Sequence, residues 1–322
     1  MTLFFIMIIC TLGVLMVGLV YWGPREPADL SLPAPKPIGD DLDHYLQDAE
    51  SGYSDIKSFL EKRIIWANDV KEKTPLSVVY LHGFSAGSEE IRPVPDLVSS
   101  ALDSNLFFTR LQGHGREDKA LAEGTVAGWM ADLQEAILIG ERLGERVLLI
   151  STSTGGTLAA VAALNSKLSH KLAGSVFVSP NFGILDFRAR FLTWPLARYW
   201  LPVFAGKTRR FDARNAAHAA TCSLVYPSVA VLPVGALVKR VMQLDFSGAK
   251  IPSLFLYSLK DQVVQADKIL QVMHAWGGQS TGQEIHLGQE DDESFHVLAG
   301  YVLSPSQTKP VADIIINWAK GL

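Results

Sequence analysis

The chain has 322 residues, 48% of them hydrophobic and 19% charged, which is enough apolar matter for a sizeable core and rules out a disordered chain. Its 29 Lys and Arg against 33 Asp and Glu leave a formal net charge of −4 with no basic run, which argues against coating a nucleic acid. Two cysteines, Cys10 and Cys222, exclude a disulfide scaffold and any cysteine-rich metal site.

No charged side chain occurs in residues 1–24, and Leu3 to Trp22 holds twelve Leu, Ile, Phe or Val. On an insertion scale those twelve are worth about −4 to −7 kcal/mol at the bilayer centre, and a twenty-residue helix spans roughly 30 Å. A single-pass transmembrane anchor is expected over 1–24, ended by Tyr21-Trp22 at the interface and by Pro24. A cleaved signal peptide fits less well, because no Lys or Arg precedes the run and no small-residue cleavage site follows it. Arg25 and Lys36 beyond the run favour a domain on the cytoplasmic side. A linker is expected over 25–50, and the five prolines of residues 24–37 read as an extended stalk lifting the domain off the membrane.

Beyond the stalk, short apolar runs alternate with helical periodicity. Strands are expected at Lys62–Ala67, Leu76–Leu81, Leu106–Thr109, Arg146–Ile150, Ser175–Val178 and Pro252–Tyr257. Apolar positions at helical spacing mark Val126–Leu143, and an Ala-rich helix is expected over Leu158–Leu164. Continuous apolar strands separated by helices indicate a parallel sheet covered on both faces. The stretch from about Phe187 to Leu244, rich in aromatics and Leu, breaks the alternation and reads as a helical insertion.

Ser153 lies in Ser151-Thr152-Ser153-Thr154-Gly155-Gly156, between a buried strand and a helix. That is the setting of a nucleophile elbow, where a sharp turn lifts a hydroxyl off the sheet and small residues stand two before and two after. The same composition also serves an ordinary helix N-terminus. At the end of an earlier strand, Tyr80-Leu81-His82-Gly83-Phe84-Ser85 could supply a backbone donor for an oxyanion. Phe84 is the expected N–H there, with Thr154 as the second; the plain alternative is a strand-end turn with His82 structural. Asp261, in the loop after the strand at 252–257, and His296, near the C-terminus, complete the chain order Ser, Asp, His. His274 reads as helical, His286 as lying on an edge strand, and Asp291 and Asp292 as part of a solvated acidic loop.

The segments LHGF (81–84), RLQGHG (110–115), GWMADLQEA (128–136), LLISTSTGG (148–156), VFVSP (176–180), YSLKDQVV (257–264) and SFHVLAG (294–300) together resemble the α/β-hydrolase superfamily. They look most like the branch of serine-aminopeptidase-like hydrolases, monoacylglycerol lipases and carboxylesterases. Two features depart from the family pattern: Ser151 stands where the elbow's first Gly is usual, and the Gly after HGF is Gly87. The resemblance implies an α/β-hydrolase core over 51–186 and 248–322 and a helical cap over 187–247. It also implies Ser153 as nucleophile, His296 as base, Asp261 as its orienting acid, and no metal or organic cofactor. The substrate expected is a small acyl ester or lipid. A peptidase, acyltransferase or perhydrolase on the same fold, or a non-catalytic membrane-bound binding module, are the alternatives. Phe191, Trp194, Leu196, Tyr199, Trp200 and Leu201 suggest an apolar acyl pocket in the cap, unless they pack the cap's own small core.

Overall fold

Strands that are apolar along their whole length can be buried on both faces only when helices cover both. The computed structural model describes residues 2–322, without the side chains at 2, 3, 8–10, 12 and 14–16. Its first elements are α1 (Thr2–Trp22), α2 (Leu42–Ser51), β1 (Arg63–Ile65), β2 (Thr74–Leu81), α3 (Val94–Ala101), β3 (Asn105–Phe108), α4 (Val126–Leu143) and β4 (Gly144–Thr152). Next come α5 (Thr154–Leu164), α6 (Ser166–Ser169), β5 (Leu172–Val178), α7 (Ala197–Phe204), β6 (Thr208–Arg210), α8 (Ala216–Thr221), β7 (Val225–Pro227) and α9 (Leu232–Val241). The chain finishes with β8 (Ser253–Tyr257), α10 (Ala266–Ala275), β9 (Ser280–Glu284) and α11 (Thr308–Ala319).

The main sheet runs β1-β3-β2-β4-β5-β8-β9. Only the edge pair β1–β3 is antiparallel. Alternate side chains take opposite faces. Val79, Leu81, Leu149, Phe177 and Phe255 join one core with Trp129, Met130 and Leu158 from α4 and α5. Val78, Tyr80, Leu148, Ile150, Val176 and Leu254 join the other with Val94 and Val98 of α3 and Val311 and Ile315 of α11. This α/β architecture brings the C-terminal ends of β2, β4, β5 and β8 to one edge, where ligands of open parallel sheets bind.

Several expectations are corrected. The Pro-rich segment is not a stalk standing clear of the domain: Ala28, Leu30, Leu32 and Ile38 pack against the first core, and Arg142 donates to the Ile38 and Gly39 carbonyls. Proline favours extended backbone with few N–H donors, which suits a strap laid on a surface as well as a spacer. The insertion is not all helical, because β6 and β7 pair as an antiparallel ribbon. β9 is a strand of polar, exposed residues; its ladder to β8 comes from the backbone, and His286 lies two residues beyond its end. The anchor expected over 1–24 rests in part on Met1 and on side chains of α1 that lie outside the described residues. Among the described residues, no helix is long and apolar enough to cross a membrane.

Candidate active site

β4 passes into α5 through Ser153, whose backbone sits at φ 49° and ψ −114°. That is a left-handed, strained setting for a residue with a side chain. It is held from three sides: the Ser153 N–H donates to Val178 O at 3.1 Å, and Thr157 N and Asn181 N donate to Ser153 O at 3.2 and 2.9 Å. Close packing dictates the neighbours. A Cβ at Gly155 would stand 2.3 Å from Leu81 O, and one at Gly156 would stand 2.7 Å from Pro180 Cβ, so no side chain fits at either. Ser151 is tolerated because its buried hydroxyl donates to Val176 O at 2.9 Å on the adjacent strand.

The loop after β8 delivers Asp261. Its Oδ1 accepts the Val263 and Val264 N–H groups at 2.8 and 2.9 Å, which leaves Oδ2 to meet His296 Nδ1 at 2.8 Å. His296 Nε2 lies 3.1 Å from Ser153 Oγ. Three residues far apart in sequence thus form one continuous hydrogen-bonded line. Burial disfavours the charged imidazolium, but Asp261, with help from Glu90 and Asp292, outweighs it and holds the His296 pKa above its ordinary value. Such a relay can draw a proton from the serine hydroxyl.

His296 is aimed by a residue expected to be merely solvated. Asp291 and Asp292 are both buried. Asp292 Oδ2 accepts from His296 N at 3.0 Å, Val297 N at 2.9 Å and the Ser294 hydroxyl at 2.5 Å. Burial raises its carboxyl, yet these donors outweigh burial and leave it below the usual range. Asp291 accepts from Gly288 N and the Ser306 hydroxyl, tying the same loop to the start of α11. The acidic run reads as a solvated face; the usable signal is Asp292 two residues before Ser294, an Asx-turn pattern.

His82 is more than a strand-end residue. Leu111 N donates to His82 Nε2 at 3.1 Å, which puts the ring proton on Nδ1, and Nδ1 meets Gly83 O at 2.8 Å. In a trans peptide the N–H opposes the C=O, so the Phe84 N–H is turned away from the His82 ring. Among the described residues, neither Phe84 N nor Thr154 N donates to a protein acceptor. The Thr154 N–H opens α5 directly after Ser153, and the Phe84 N–H lies on the loop after β2, where a Cβ at Gly83 would stand 3.2 Å from Ser153 Cβ. Burial pushes the His82 pKa down to about 4, which keeps this tautomer neutral.

His114 lies beside it, its ring tilted by 56° with centroids 5.0 Å apart. Its Nδ1 bonds Gln112 O, its Nε2 has no partner among the described residues, and burial drives its pKa well below the ordinary value. Because the unfolded histidine takes up a proton below about pH 6.5 and the folded one does not, stability is lost as pH falls through that window. His114→Phe should therefore gain about 2 kcal/mol on the parent protein between pH 7 and pH 5 in denaturant titrations. Parallel pH curves for the two proteins would rule out this source of acid sensitivity.

The apolar cluster nearest the loop after β2 is not the one expected. Leu192, Ala197, Leu201 and Leu232 pack with Trp200 as a small core of the insertion itself, while Trp194 and Tyr199 are exposed. Instead Phe84 packs with Leu121, Tyr226, Ala230 and Val231, Tyr226 meeting it edge-on at 5.5 Å. Nothing in the sequence pattern marks Tyr226. The insertion also reaches the loop after β2 and the segment after His296, through Ser223 N to Ser85 O at 2.7 Å and Asn215 Nδ2 to Val302 O at 2.6 Å. A cavity of about 690 Å³ bounded by Arg146, His170, Lys250 and Leu322 opens at the strands' N-terminal ends and does not serve Ser153. Among the described residues, no group of three His, Cys, Asp or Glu side chains converges as a metal site.

Three comparisons bear on this arrangement. No curated protein matches the sequence. Among solved structures, one reported for LipS and LipT, two metagenome-derived lipolytic enzymes, is 16% identical with a TM-score of 0.64, covering 83% of this chain and all of its own. A monoacylglycerol lipase of Paleococcus ferrophilus is 17% identical with a TM-score of 0.57, covering 81% of this chain and 98% of that one. A soluble variant of the Saccharomyces cerevisiae monoglyceride lipase is 11% identical with a TM-score of 0.60, covering 81% and 90%. At such identities these likenesses carry the fold. A family model for alpha/beta hydrolases matches residues 78–280, which is more than half of the chain. The sheet order, the turn at Ser153 and that match lead to one assignment: the chain belongs to the alpha/beta hydrolase family.

Proposed function

We propose that the protein is a membrane-anchored serine hydrolase that cleaves carboxylic esters through Ser153, His296 and Asp261. The observation that carries this reading is the unbroken line from Asp261 Oδ2 through His296 to Ser153 Oγ, at 2.8 and 3.1 Å. Ser153 Oγ attacks the acyl carbonyl while His296 Nε2 takes its proton. Asp261 keeps Nδ1 protonated and stabilises the imidazolium. The Phe84 and Thr154 N–H groups bind the oxyanion, each worth about 3 kcal/mol of transition-state stabilisation. His296 then returns the proton to the leaving alcohol, and water, activated by the same histidine, releases the acid and regenerates Ser153. No step calls for a metal or organic cofactor. The solved lipases of like fold support an ester or lipid substrate for this chain.

The insertion over 187–247 acts as the cap, and Phe84 and Val231, the partly exposed members of the cluster they form with buried Leu121, Tyr226 and Ala230, offer apolar surface to an acyl chain. α1, unbroken over Thr2–Trp22 and free of charged residues, is the anchor, with Arg25 and Lys36 favouring a catalytic domain on the cytoplasmic side. Tethering raises the local concentration of a bilayer-borne substrate without any new contact.

A fluorophosphonate probe together with nitrophenyl esters of graded chain length tests the reading. Labelling at Ser153 is expected, with kcat/KM rising from acetyl to medium-chain esters, since each buried methylene gains roughly 0.8 kcal/mol. Removal of residues 1–24 is expected to lower turnover of vesicle-borne lipid and leave soluble esters unaffected. Labelling without ester turnover would favour a peptidase or acyltransferase, absence of labelling a binding module, and a preference for acetyl esters would overturn the acyl-pocket assignment.

A further inference from the structure

Glu90 belongs to no motif singled out in the sequence, yet it is a buried carboxyl beside the nucleophile. Its Oε2 accepts the Gly83 N–H at 2.8 Å and the Tyr80 hydroxyl at 2.8 Å, and the Tyr80 hydroxyl in turn lies 3.1 Å from Thr152 Oγ1, next to Ser153. A Cβ placed on Gly83 would stand 2.6 Å from Glu90 Oε1 and 3.2 Å from Ser153 Cβ. The carboxyl and the nucleophile therefore both crowd the space that a side chain on Gly83 would fill. The peptide on the other side of Gly83 is held by His82, whose Nδ1–H donates to Gly83 O at 2.8 Å. Gly83 is thus clamped at both its N–H and its C=O, and the next group along the chain is the Phe84 N–H.

We propose that Glu90 is a positioning residue for the oxyanion site: by accepting the Gly83 N–H it fixes the turn that presents the Phe84 N–H to the developing oxyanion. The inference rests on the serine-hydrolase reading of Ser153. A loop donor is effective in the transition state only when its direction is set in advance. A glycine, with the widest backbone freedom of any residue, needs clamps from outside itself to provide that direction. Burial raises the Glu90 carboxyl above its usual range, more than the Gly83 N–H, the Tyr80 hydroxyl and His296 together lower it. A buried acid serving packing alone would satisfy the same hydrogen bonds but would have no bearing on transition-state binding.

Glu90→Ala and Glu90→Gln in the full-length chain separate these roles. Glutamine keeps a carbonyl oxygen able to accept both donors; alanine keeps none. The measurements are kcat, KM, the inhibition constant of a trifluoromethyl ketone that mimics the tetrahedral intermediate, and the rate of fluorophosphonate labelling. Because Glu90 holds a donor and is not itself one, Glu90→Ala is expected to lower kcat about tenfold, less than the loss of a donor itself. Ketone binding should weaken by the same factor with KM little changed, and Glu90→Gln should restore both. Wild-type kcat and ketone affinity in folded Glu90→Ala would overturn the proposal. Should the alanine variant fail to fold, Glu90→Gln decides: a tenfold loss there, with Gly83 still able to donate, overturns it equally. If the parent enzyme itself neither labels nor turns over esters, the failure lies with the hydrolase reading and not with Glu90.

Discussion

Ser153→Ala is expected to abolish fluorophosphonate labelling and to lower kcat on its best ester by about 10⁶-fold, because the members of such a relay act as a unit. The fold should survive. The Ser153 side chain makes one hydrogen bond among the described residues, to His296 Nε2, and His296 keeps its bond to Asp261 through Nδ1. The strained φ of 49° belongs to the backbone turn and is demanded by Gly155 and Gly156 against β2 and the loop after β5, so it is not relieved by losing the hydroxyl. Adding His296→Ala to Ser153→Ala should cost nothing further, since the base has no nucleophile to serve. A double variant much slower than the single would mean that His296 activates water independently. Retained labelling of Ser153→Ala would remove the serine from its assigned role.

The sheet was legible because its strands are apolar on both faces. Val147 to Ile150 can be nothing but a buried run, and its burial pattern bears that out. α4 was equally clear, its buried positions Trp129, Met130, Leu133, Ala136 and Ile137 recurring at helical spacing. What escaped the pattern is held by backbone or by polar contacts. β9 contributes Ser280–Glu284 with almost no apolar surface, so periodicity has nothing to report there. α5 begins at Thr154 rather than at 158, because Gly155 and Gly156 are poor helix formers placed for close approach to Leu81 and Pro180. The prolines of 24–37 set backbone shape and say nothing of whether the segment stands free or lies on a surface.

The candidate site divides along the same line. Ser153, Asp261 and His296 stand at ends of apolar strands or before an apolar run, and their chain order made them visible; the structure brings the three side chains together. The residues that aim them did not show. Asp292 looks like one more member of an acidic surface run until its carboxylate is seen to accept the His296 and Val297 N–H groups. Glu90 and His82 act on one glycine from opposite sides, a relation between a strand end and a later loop that linear spacing does not encode. Tyr226 comes from the insertion to lie edge-on against Phe84, and only the folded chain brings the two together.

Asp261→Asn is expected to lower kcat on the order of 10⁴-fold, for a reason specific to how the loop holds this side chain. Asp261 Oδ1 is engaged by the Val263 and Val264 N–H groups, donors that an amide can satisfy only with its oxygen. The asparagine NH₂ is therefore turned toward His296, where Oδ2 now stands 2.8 Å from Nδ1. An N–H facing Nδ1 forces that nitrogen to accept, which moves the ring proton to Nε2 and points it at Ser153 Oγ. A histidine in that tautomer cannot take the hydroxyl's proton. The lost charge has a second consequence. Burial lowers the His296 pKa, and Asp261 is the largest influence raising it, so without the carboxylate the pKa must fall. Since the base works only when neutral, the acid limb of kcat/KM moves to lower pH in the variant even as its height collapses. A variant with the same large rate loss but an unmoved acid limb would show that Asp261 orients the ring without setting its charge. A variant with near-parent activity would mean that the acid partnering His296 lies elsewhere.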